Sequence, residues 1–250
     1  MTAAAPTSDQ VALGNPSFVW RAGQDRRLDL IRRYARLEGA RVLDIGCGVG
    51  AYVRKLREFS DHAYGVDIDP ERVRRGGEGL AVAVSESLPF ATAAFDVVLL
   101  NEVIEHVRNE RETLREACRV ARPGGHVVIY APNRLYPFET HGVYLGKRYV
   151  FGNIPFVNYL PDPLRRRLVP HARAYTRRGL RALLAGLPAE AVVHTYVYPG
   201  FDNIVARRQT LGALLRNVFH RLEQTPLRSF GLSHFVVLRV LGAGAAVSNG

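Results

Sequence analysis

The first half of the chain alternates short apolar runs with segments of helical periodicity. Strand-length apolar runs are found at 42–45, 62–66, 80–84 and 95–100. Segments that repeat apolar residues at helical spacing lie at 25–37, 51–59 and 109–121. The branched apolar residues of the runs suit strands covered on both faces. This alternation predicts an α/β domain in which helices connect parallel strands.

The regular pattern is interrupted between residues 133 and 175, where Pro, Gly, Tyr and Phe accumulate. A structureless segment of this length is uncommon in a compact domain unless it is a lid or a binding loop. Its aromatic residues argue against disorder. We therefore predict a substrate-side insertion there. Beyond it, Thr176 is a candidate helix cap, 191–198 and 234–240 read as strands, and 204–222 is an arginine-rich amphipathic segment.

The strand at 42–45 leads directly into the glycine-rich turn 46–50. Gly46, Gly48 and Gly50 permit unusual dihedral angles and a close approach of the backbone to a ligand. The turn ends at a helix N-terminus, whose free N–H groups favour an anion. With Ala51 the spacing also satisfies the loose dinucleotide fingerprint, so a NAD-type oxidoreductase remains an alternative.

Two acids flank this turn. Asp44, at the end of the first strand, would repel a dinucleotide pyrophosphate and attract the amino group of a bound methionine moiety. Asp67 ends the second strand-like run, roughly 20 residues beyond the first glycine, where an acid can hold ribose hydroxyls. The two acids therefore favour an adenosyl-methionine ligand over a dinucleotide.

These residues, with the blocks NEVIEHV at 101–107 and PGGHVVIYAPN at 123–133, resemble class I S-adenosylmethionine (SAM) dependent methyltransferases. The resemblance covers roughly residues 25–131 and is to the branch of the ubiquinone and menaquinone biosynthesis methyltransferases. It implies an α/β fold: a Rossmann-like, seven-stranded, mostly parallel sheet with helices on both faces and a substrate-side insertion after strand five. It also implies SAM as the cofactor.

The resemblance assigns cofactor-binding positions along the carboxyl edge of this sheet. They are Asp44, Gly46, Cys47, Gly48, Gly50, Asp67, Ile68, Glu86, Ser87, Asn101 and Glu102. The family's usual acid for the adenine amino group falls on Val84 in this chain. Adenine recognition is therefore expected to use backbone atoms or Glu86.

We divide the chain into an N-terminal arm (1–24), a SAM-binding core (25–131), a cap or lid (132–175) and a C-terminal completion of the same domain (176–250). Phe18, Val19 and Trp20 in the arm are costly to leave in water and are expected to dock. The arginine-rich face of the 25–37 helix is interpreted as a solvated face.

Three side chains are candidates for the chemistry. A sulfonium methyl group needs an in-line nucleophile, and a hydroxyl nucleophile must also lose a proton. His141 with Glu139 in the cap, and His106 after strand four, are the candidate catalytic groups. Glu102 and His106 are expected at i and i+4 on one helical face. The competing interpretation makes His141 a structural loop residue and lets Glu105 and His106 merely cap and pack a helix start.

The formal net charge of +11 would suit nucleic acid, an anionic membrane surface or an acidic substrate. Only Lys55 and Lys147 are lysines, so a GC-rich genome explains the arginine content equally well. A nucleic-acid methyltransferase is the first alternative. Base-amino methyltransferases commonly carry an Asn/Asp-Pro-Pro-aromatic motif after strand four, where this chain has NEVI at 101–104, so nucleic acid is disfavoured.

The remaining expectations are largely negative. Two cysteines, Cys47 and Cys118, indicate neither a disulfide framework nor a metal site. No apolar stretch reaches the ~18 residues of a membrane span, and the N-terminus lacks a secretory pattern. We therefore expect a cytoplasmic protein, with peripheral contact at the inner membrane surface as a hypothesis. The expected reaction is O-methylation of a small or lipid-like acceptor, while a non-catalytic SAM-binding module and the oligomeric state stay open.

Overall fold

The computed structural model describes Trp20 and residues 22–242. Phe18 and Val19, which are predicted to dock, lie outside these residues. Trp20 does dock: its ring meets that of Tyr52 edge-on, with 4.9 Å between the ring centroids. The N-terminal arm is therefore attached to the core at its last residues.

The elements follow one another in the alternating order that the apolar pattern predicts. They are α1 (Ala22–Arg32), β1 (Val42–Ile45), α2 (Ala51–Leu56), β2 (Ala63–Asp67), α3 (Pro70–Gly76), β3 (Leu80–Val82), β4 (Phe95–Asn101), α4 (Glu110–Val120), β5 (Ala121–Pro132), β6 (Phe138–Glu139), β7 (Val143–Leu145), β8 (Arg148–Val150), β9 (Ile154–Pro155), α5 (Asp162–Leu168), α6 (Arg177–Leu184), β10 (Ala189–Val197), α7 (Asp202–Arg207), α8 (Gln209–Leu222) and β11 (Ser233–Val240). Short 3₁₀ helices cover Val157–Tyr159 and Pro226–Phe230.

Seven strands form one sheet in the order β10-β11-β5-β4-β1-β2-β3. The four pairings among β1 to β5 are parallel, and β11 is antiparallel to both β5 and β10. The mostly parallel, Rossmann-like sheet is thus confirmed. The strand order reverses between β1 and β4, and in open α/β sheets ligands bind beyond the carboxyl ends of the strands at such a switch point.

The core lies in two layers, one on each face of the sheet. Successive residues of β4 alternate between them: Val98 and Leu100 join one cluster, and Val97 and Leu99 the other. Helices α4 and α6 contribute to the first cluster, whereas α1 and α2 contribute to the second. The prediction of helices on both faces is therefore confirmed.

The cap is an ordered unit with a small core of its own. It contains the antiparallel pairs β6–β9 and β7–β8, a 3₁₀ turn and α5. Its buried apolar residues are Val143, Val157, Val169 and Ala172. The insertion after the fifth strand therefore folds as a compact lobe beside the carboxyl edge of the sheet.

One helix prediction needs correction, because the first helix spans Ala22–Arg32 rather than 25–37. The predicted amphipathic segment 204–222 consists of two helices, α7 and α8, which meet at Arg208. A Cβ at Gly212 would lie 2.5 Å from the backbone of Val205, so glycine is what lets α8 pack this closely on α7. Among the described residues, none of the helices has both the length and the apolar character to cross a membrane.

Candidate active site

The glycine-rich turn between β1 and α2 has the backbone that its sequence requires. Gly46, Gly48 and Gly50 have φ angles of 70°, 56° and 72°, the left-handed region that side chains disfavour. A Cβ at Gly46 would lie 2.5 Å from Cγ2 of Val103, in the segment after β4. The turn is therefore packed directly against the neighbouring strand end, and a side chain at Gly46 would separate them.

Asp67 ties the end of β2 to this turn. One carboxylate oxygen accepts the N–H of Gly48 at 2.8 Å, and the other accepts the N–H of Asp69 at 2.9 Å. Asp44 is almost fully buried, and this burial together with the charge of Asp67 raises its pKa to about 8. A buried carboxyl group with a raised pKa becomes charged most readily when a cation approaches it.

The positions predicted near the adenine behave differently from one another. Ile68 is 66% exposed directly after Asp67, so an apolar face is available there. Glu86 accepts the backbone N–H groups of Arg108 and Asn109 and therefore braces the segment after β4. Ser87 forms an isolated β-bridge with Val84. The adenine role of Glu86 stays a prediction, and its carboxylate already has these backbone partners.

Arg27 is a residue of this site that the sequence pattern did not single out. Its guanidinium donates to Asn101 Oδ1 at 2.7 Å and to Glu102 Oε1 at 2.8 Å, and it lies 4.6 Å from the centroid of the Tyr130 ring. The solvated-face interpretation of this helix is therefore wrong at Arg27. One signal existed: Arg27 is four residues before the buried Ile31, which places both on the same face of α1.

Glu102 is held in an uncommon conformation, with a φ of 58°. Its carboxylate also accepts the hydroxyl of Ser233 at 2.6 Å. Burial alone would raise the pKa of Glu102, but the charge of Arg27 and the hydrogen bond from Ser233 hold that pKa below its usual value. Glu102 is therefore an ionised carboxylate at the carboxyl end of β4.

The helix expected to begin at Glu102 is absent, because the backbone of this segment bonds to its neighbours instead. The N–H of Glu102 donates to the carbonyl of Tyr130, and the carbonyl of Glu105 accepts the N–H of Arg173. The i, i+4 helical pairing of Glu102 with His106 is therefore wrong. The resulting turn directs Glu105 inward beside His106.

Glu105, His106 and His141 form what we call the acceptor-side cluster. Nε2 of His106 lies 3.8 Å, and Nε2 of His141 3.9 Å, from Glu105 Oε1. The centroids of the two imidazole rings are 5.3 Å apart. His141 comes from the cap, so the cap and the segment after β4 build this cluster together.

Glu105 is the unusual member of this cluster. It is 1% exposed, and no hydrogen-bond donor from the described residues reaches either of its carboxylate oxygens. Burial and the neighbouring negative charge of Glu102 raise the pKa of Glu105 well above its usual value. A buried carboxyl group without a donor is rare, and a bound ion or water is one way to satisfy it.

The cluster fits a divalent cation. One ligand atom from each of Glu105, His106 and His141 can be chosen so that all three lie within 4.8 Å of one another. Carboxylate oxygen and neutral imidazole nitrogen are common ligands of divalent transition ions. From the cysteine count we expected no metal site. That expectation did not consider this donor set, because its members come together only in the folded chain.

Of the predicted catalytic residues, His106, His141 and Glu139 are brought together, since Glu139 Oε1 lies 2.8 Å from His141 Nδ1. The predicted cofactor positions follow the carboxyl ends of β1, β2, β3 and β4. Sequence analysis gave Glu105 only a structural role and did not single out Arg165, which pairs with Glu139. The individual roles of all these residues stay predictions.

Comparisons with known proteins concern the family and the fold. Residues 43–129 match the family described as "Methyltransferase domain". Norajmaline N-methyltransferase of Rauvolfia serpentina is 34% identical over 136 residues, covering 46% of this chain and 47% of that protein. A ubiquinone biosynthesis O-methyltransferase of Aromatoleum aromaticum is 31% identical over 139 residues, covering 52% and 59%. The chain thus spans about half the length of these curated relatives.

A solved structure extends the comparison to nearly the whole chain. The crystal structure of an S-adenosylmethionine dependent methyltransferase from Mesorhizobium loti superposes with a TM-score of 0.60 at 17% identity. It covers 87% of this chain and 98% of the other. At this identity the likeness concerns the fold. Residues 43–129 therefore match the methyltransferase family, and the chain as a whole has the fold of this solved methyltransferase.

Proposed function

We propose that this chain is a SAM-dependent methyltransferase that acts on a hydroxyl group of a small or lipid-like acceptor. The methyltransferase domain and the two curated relatives support methyl transfer from SAM. The observation that carries the choice of oxygen is the acceptor-side cluster, because a hydroxyl must lose its proton on methylation whereas an amine needs less help.

The cofactor is proposed to lie across the carboxyl ends of β1, β2 and β4. Asp67 would accept the ribose hydroxyls, and Asp44 would face the ammonium of the methionine moiety. The exposed side chain of Ile68 would cover the adenine. Arg27, held by Asn101 and Glu102, adds positive charge where the methionine carboxylate would end.

The acceptor hydroxyl is proposed to reach the sulfonium from the side of the cap. A divalent cation held by Glu105, His106 and His141 would lower the pKa of that hydroxyl, as bound cations do for water. Glu102, kept ionised by Arg27 and Ser233, adds negative charge beside these ligands. In this proposal the two histidines are ligands. Turnover that resists a chelator would instead favour His141 as the general base.

The test is transfer of labelled methyl from SAM to extract components by the purified chain, followed by identification of the methylated atom. Chelation should abolish transfer and Mn²⁺ should restore it. His141→Ala should lower turnover by about 100-fold or more, the order expected when activation of a reacting hydroxyl is lost. The exposed His62 is the control, and His62→Gln should leave turnover unchanged. A product methylated at nitrogen, or methylated RNA, would contradict the proposal.

The cap is further proposed to touch an anionic membrane surface on the cytoplasmic side. Leu145, Phe151, Phe156 and Leu164 are each more than half exposed on the cap. Lys147 and Arg148 at the β7–β8 turn, and Arg166 and Arg167 on α5, are also exposed. Arg165, which precedes these two arginines on the same helix, is buried and does not belong to this surface.

Vesicle sedimentation tests this contact. Each basic residue near an anionic surface contributes about 1 kcal/mol, so the Arg166→Gln/Arg167→Gln double variant should bind anionic vesicles roughly 30-fold more weakly. The Arg33→Gln/Arg36→Gln variant removes the same charge outside the cap and should bind like the parent. If the parent binds neutral vesicles as well as anionic ones, or if the two variants bind anionic vesicles equally, the proposed contact with an anionic membrane is wrong.

A further inference from the structure

His141 is oriented by an acidic neighbour within the cap. Glu139 Oε1 accepts the backbone N–H of His141 at 2.9 Å and lies 2.8 Å from its Nδ1. Oε2 of the same carboxylate accepts from the Arg165 guanidinium, so N–H groups donate to both oxygens of Glu139. Because both oxygens act as acceptors, Nδ1 of His141 carries the hydrogen that points to Oε1. In the neutral imidazole the lone pair is then on Nε2, the nitrogen that lies 3.9 Å from Glu105 Oε1.

Glu139 is in turn fixed by Arg165, which is 3% exposed. Arg165 Nη2 donates to Glu139 Oε2 at 2.6 Å. Its Nη1 donates to the carbonyl of Ala172 at 2.9 Å, and its Nε donates to Asn158 Oδ1 at 3.1 Å. Three separate acceptors therefore hold the planar guanidinium, and the guanidinium holds the carboxylate.

Stability alone is a weak reason for this arrangement. Removing two charges from water is costly, and well-packed apolar residues of similar volume are often as stabilising as a buried ion pair. Removing one partner of such a pair lowers the free energy of unfolding, because the other charge is left buried and unpaired. The intact pair adds little to the free energy of unfolding compared with apolar residues of similar volume. A buried Arg165–Glu139 pair in so small a core therefore indicates another role.

His106 has an equivalent orienting contact. Its Nδ1 lies 2.9 Å from the carbonyl oxygen of His171, and since a carbonyl only accepts, Nδ1 again carries the hydrogen. His171 Nε2 in turn lies 2.9 Å from the carbonyl oxygen of His141, which links the two histidine-bearing segments. Both imidazoles thus direct an unprotonated Nε2 toward Glu105.

We propose that Arg165 and Glu139 are positioning residues: through them the cap fixes the tautomer and ring orientation of His141, so that Nε2 faces Glu105 ready to bind a cation. Arg165 acts on Glu139, and Glu139 acts on His141. Such outer partners fix the ring orientation of metal-binding histidines and raise their basicity. The inference rests on the proposed acceptor-side role of His141.

The first test reads the tautomer directly and needs neither metal nor turnover. Long-range ¹H–¹⁵N spectra of the full chain with ¹⁵N-labelled histidine, at about pH 8.5 where ordinary histidines are neutral, should place the hydrogen of His141 on Nδ1. His141→Gln assigns the signal. Glu139→Gln, whose amide can accept or donate, should give a tautomer mixture. Arg165→Gln should do the same, and the conservative Arg165→Lys should retain more of the Nδ1–H form.

The second test is Mn²⁺ binding by calorimetry without SAM or acceptor. Loss of an outer partner typically weakens metal affinity by about 10 to 100-fold, which is the effect expected for Glu139→Gln and Arg165→Gln. Glu190→Gln, which breaks the exposed pair with Arg239, is the matched control and should bind like the parent. Circular dichroism and SAM affinity show whether each variant is folded. If Arg165→Gln does not fold, Arg165→Lys replaces it in the Mn²⁺ titration.

An Nδ1–H tautomer that persists in both Glu139→Gln and Arg165→Gln would overturn the inference. So would unchanged Mn²⁺ affinity in both variants when the parent binds the ion. If the parent binds no Mn²⁺, the cation clause of the proposed function fails, while the tautomer spectra still decide whether Arg165 and Glu139 position His141. The two ideas therefore fail separately.

Discussion

Arg27 and Glu102 are 75 residues apart in sequence and form an ion pair at 2.8 Å, which brings α1 against the carboxyl end of β4. The same guanidinium donates to Asn101 and to Ser233. The backbone carbonyl of Arg27 also accepts a hydrogen bond from the hydroxyl of Tyr130. One arginine thus links the N-terminal helix, the central strands and the last strand at the carboxyl edge of the sheet, where the cofactor is proposed to bind.

We predict that Arg27→Leu lowers stability and SAM affinity together. Removing one partner of a fully buried ion pair costs ~3 to 5 kcal/mol, because the other charge is left without compensation. The two side chains here keep 16% and 25% exposure, so solvent screening reduces the expected loss to about 2 kcal/mol. Urea unfolding measures it. The exposed Arg33, one residue beyond the end of α1, is the control, and Arg33→Leu should stay within about 0.5 kcal/mol.

The glycine turn allows strain and steric conflict to be separated. Gly39 and Gly46 have similar φ angles of 67° and 70°, but a Cβ at Gly39 meets nothing within 4 Å whereas one at Gly46 would lie 2.5 Å from Val103. Gly39→Ala should cost only the ~1 to 2 kcal/mol of a left-handed side chain. Gly46→Ala should cost more and also weaken SAM binding. Equal losses in thermal unfolding, with SAM affinity intact in both variants, would show that the turn is not packed as described.

The central sheet could be anticipated from the sequence because its signals are local. The runs at 42–45 and 95–100 are apolar almost throughout, and such strands are covered on both faces by helices. A glycine-rich turn after the first strand then locates the ligand edge. The fold therefore follows from residues that are close together in the chain, and the same residues carry the prediction of the cofactor region.

The acceptor side could not be anticipated in the same way, because its partners are far apart. Arg165 pairs with Glu139 across 26 residues, and an arginine in an arginine-rich helix carries no local signal of burial. Glu105 appeared to belong to a helix start, since only the bonds from neighbouring strands and loops prevent that helix from forming. The cap strands are two or three residues long, too short for an alternating pattern to be recognised.

Asp67→Ala should weaken SAM binding by roughly 10 to 100-fold, because loss of hydrogen bonds to a charged acceptor costs ~1.5 to 3 kcal/mol. Part of this effect should come from the turn, since Asp67 also accepts the N–H of Gly48. Asp67→Asn keeps an acceptor for that N–H and should lose less. Calorimetry measures both variants, with the exposed Asp61→Ala as the control. Unchanged affinity in a folded Asp67→Ala would place the ribose elsewhere.

Asp44 should make stability depend on pH. Its pKa is about 8 in the folded chain, whereas an unfolded aspartate titrates near its ordinary value of about 4. Between these values the folded state binds a proton that the unfolded state has lost, so stability falls as pH rises, by up to about 1.4 kcal/mol per pH unit. Asp44→Asn should flatten this slope in urea unfolding at several pH values. If the free energy of unfolding has the same pH dependence in the parent and in Asp44→Asn, this prediction is wrong.

Binding of SAM should reverse the protonation of Asp44. At about pH 6.5 the carboxyl group is protonated in the free chain, because this pH lies below its pKa of about 8. If the ammonium of the methionine moiety approaches Asp44, the charged form is favoured and a proton is released to the buffer. Calorimetric enthalpies of SAM binding should therefore vary with the ionisation enthalpy of the buffer, with close to one proton released.

Asp44→Asn, which carries no proton to release, should bind with an enthalpy independent of the buffer. A parent enthalpy equally independent of the buffer would mean that the ammonium does not lie at Asp44, and the orientation proposed for the cofactor would have to be abandoned.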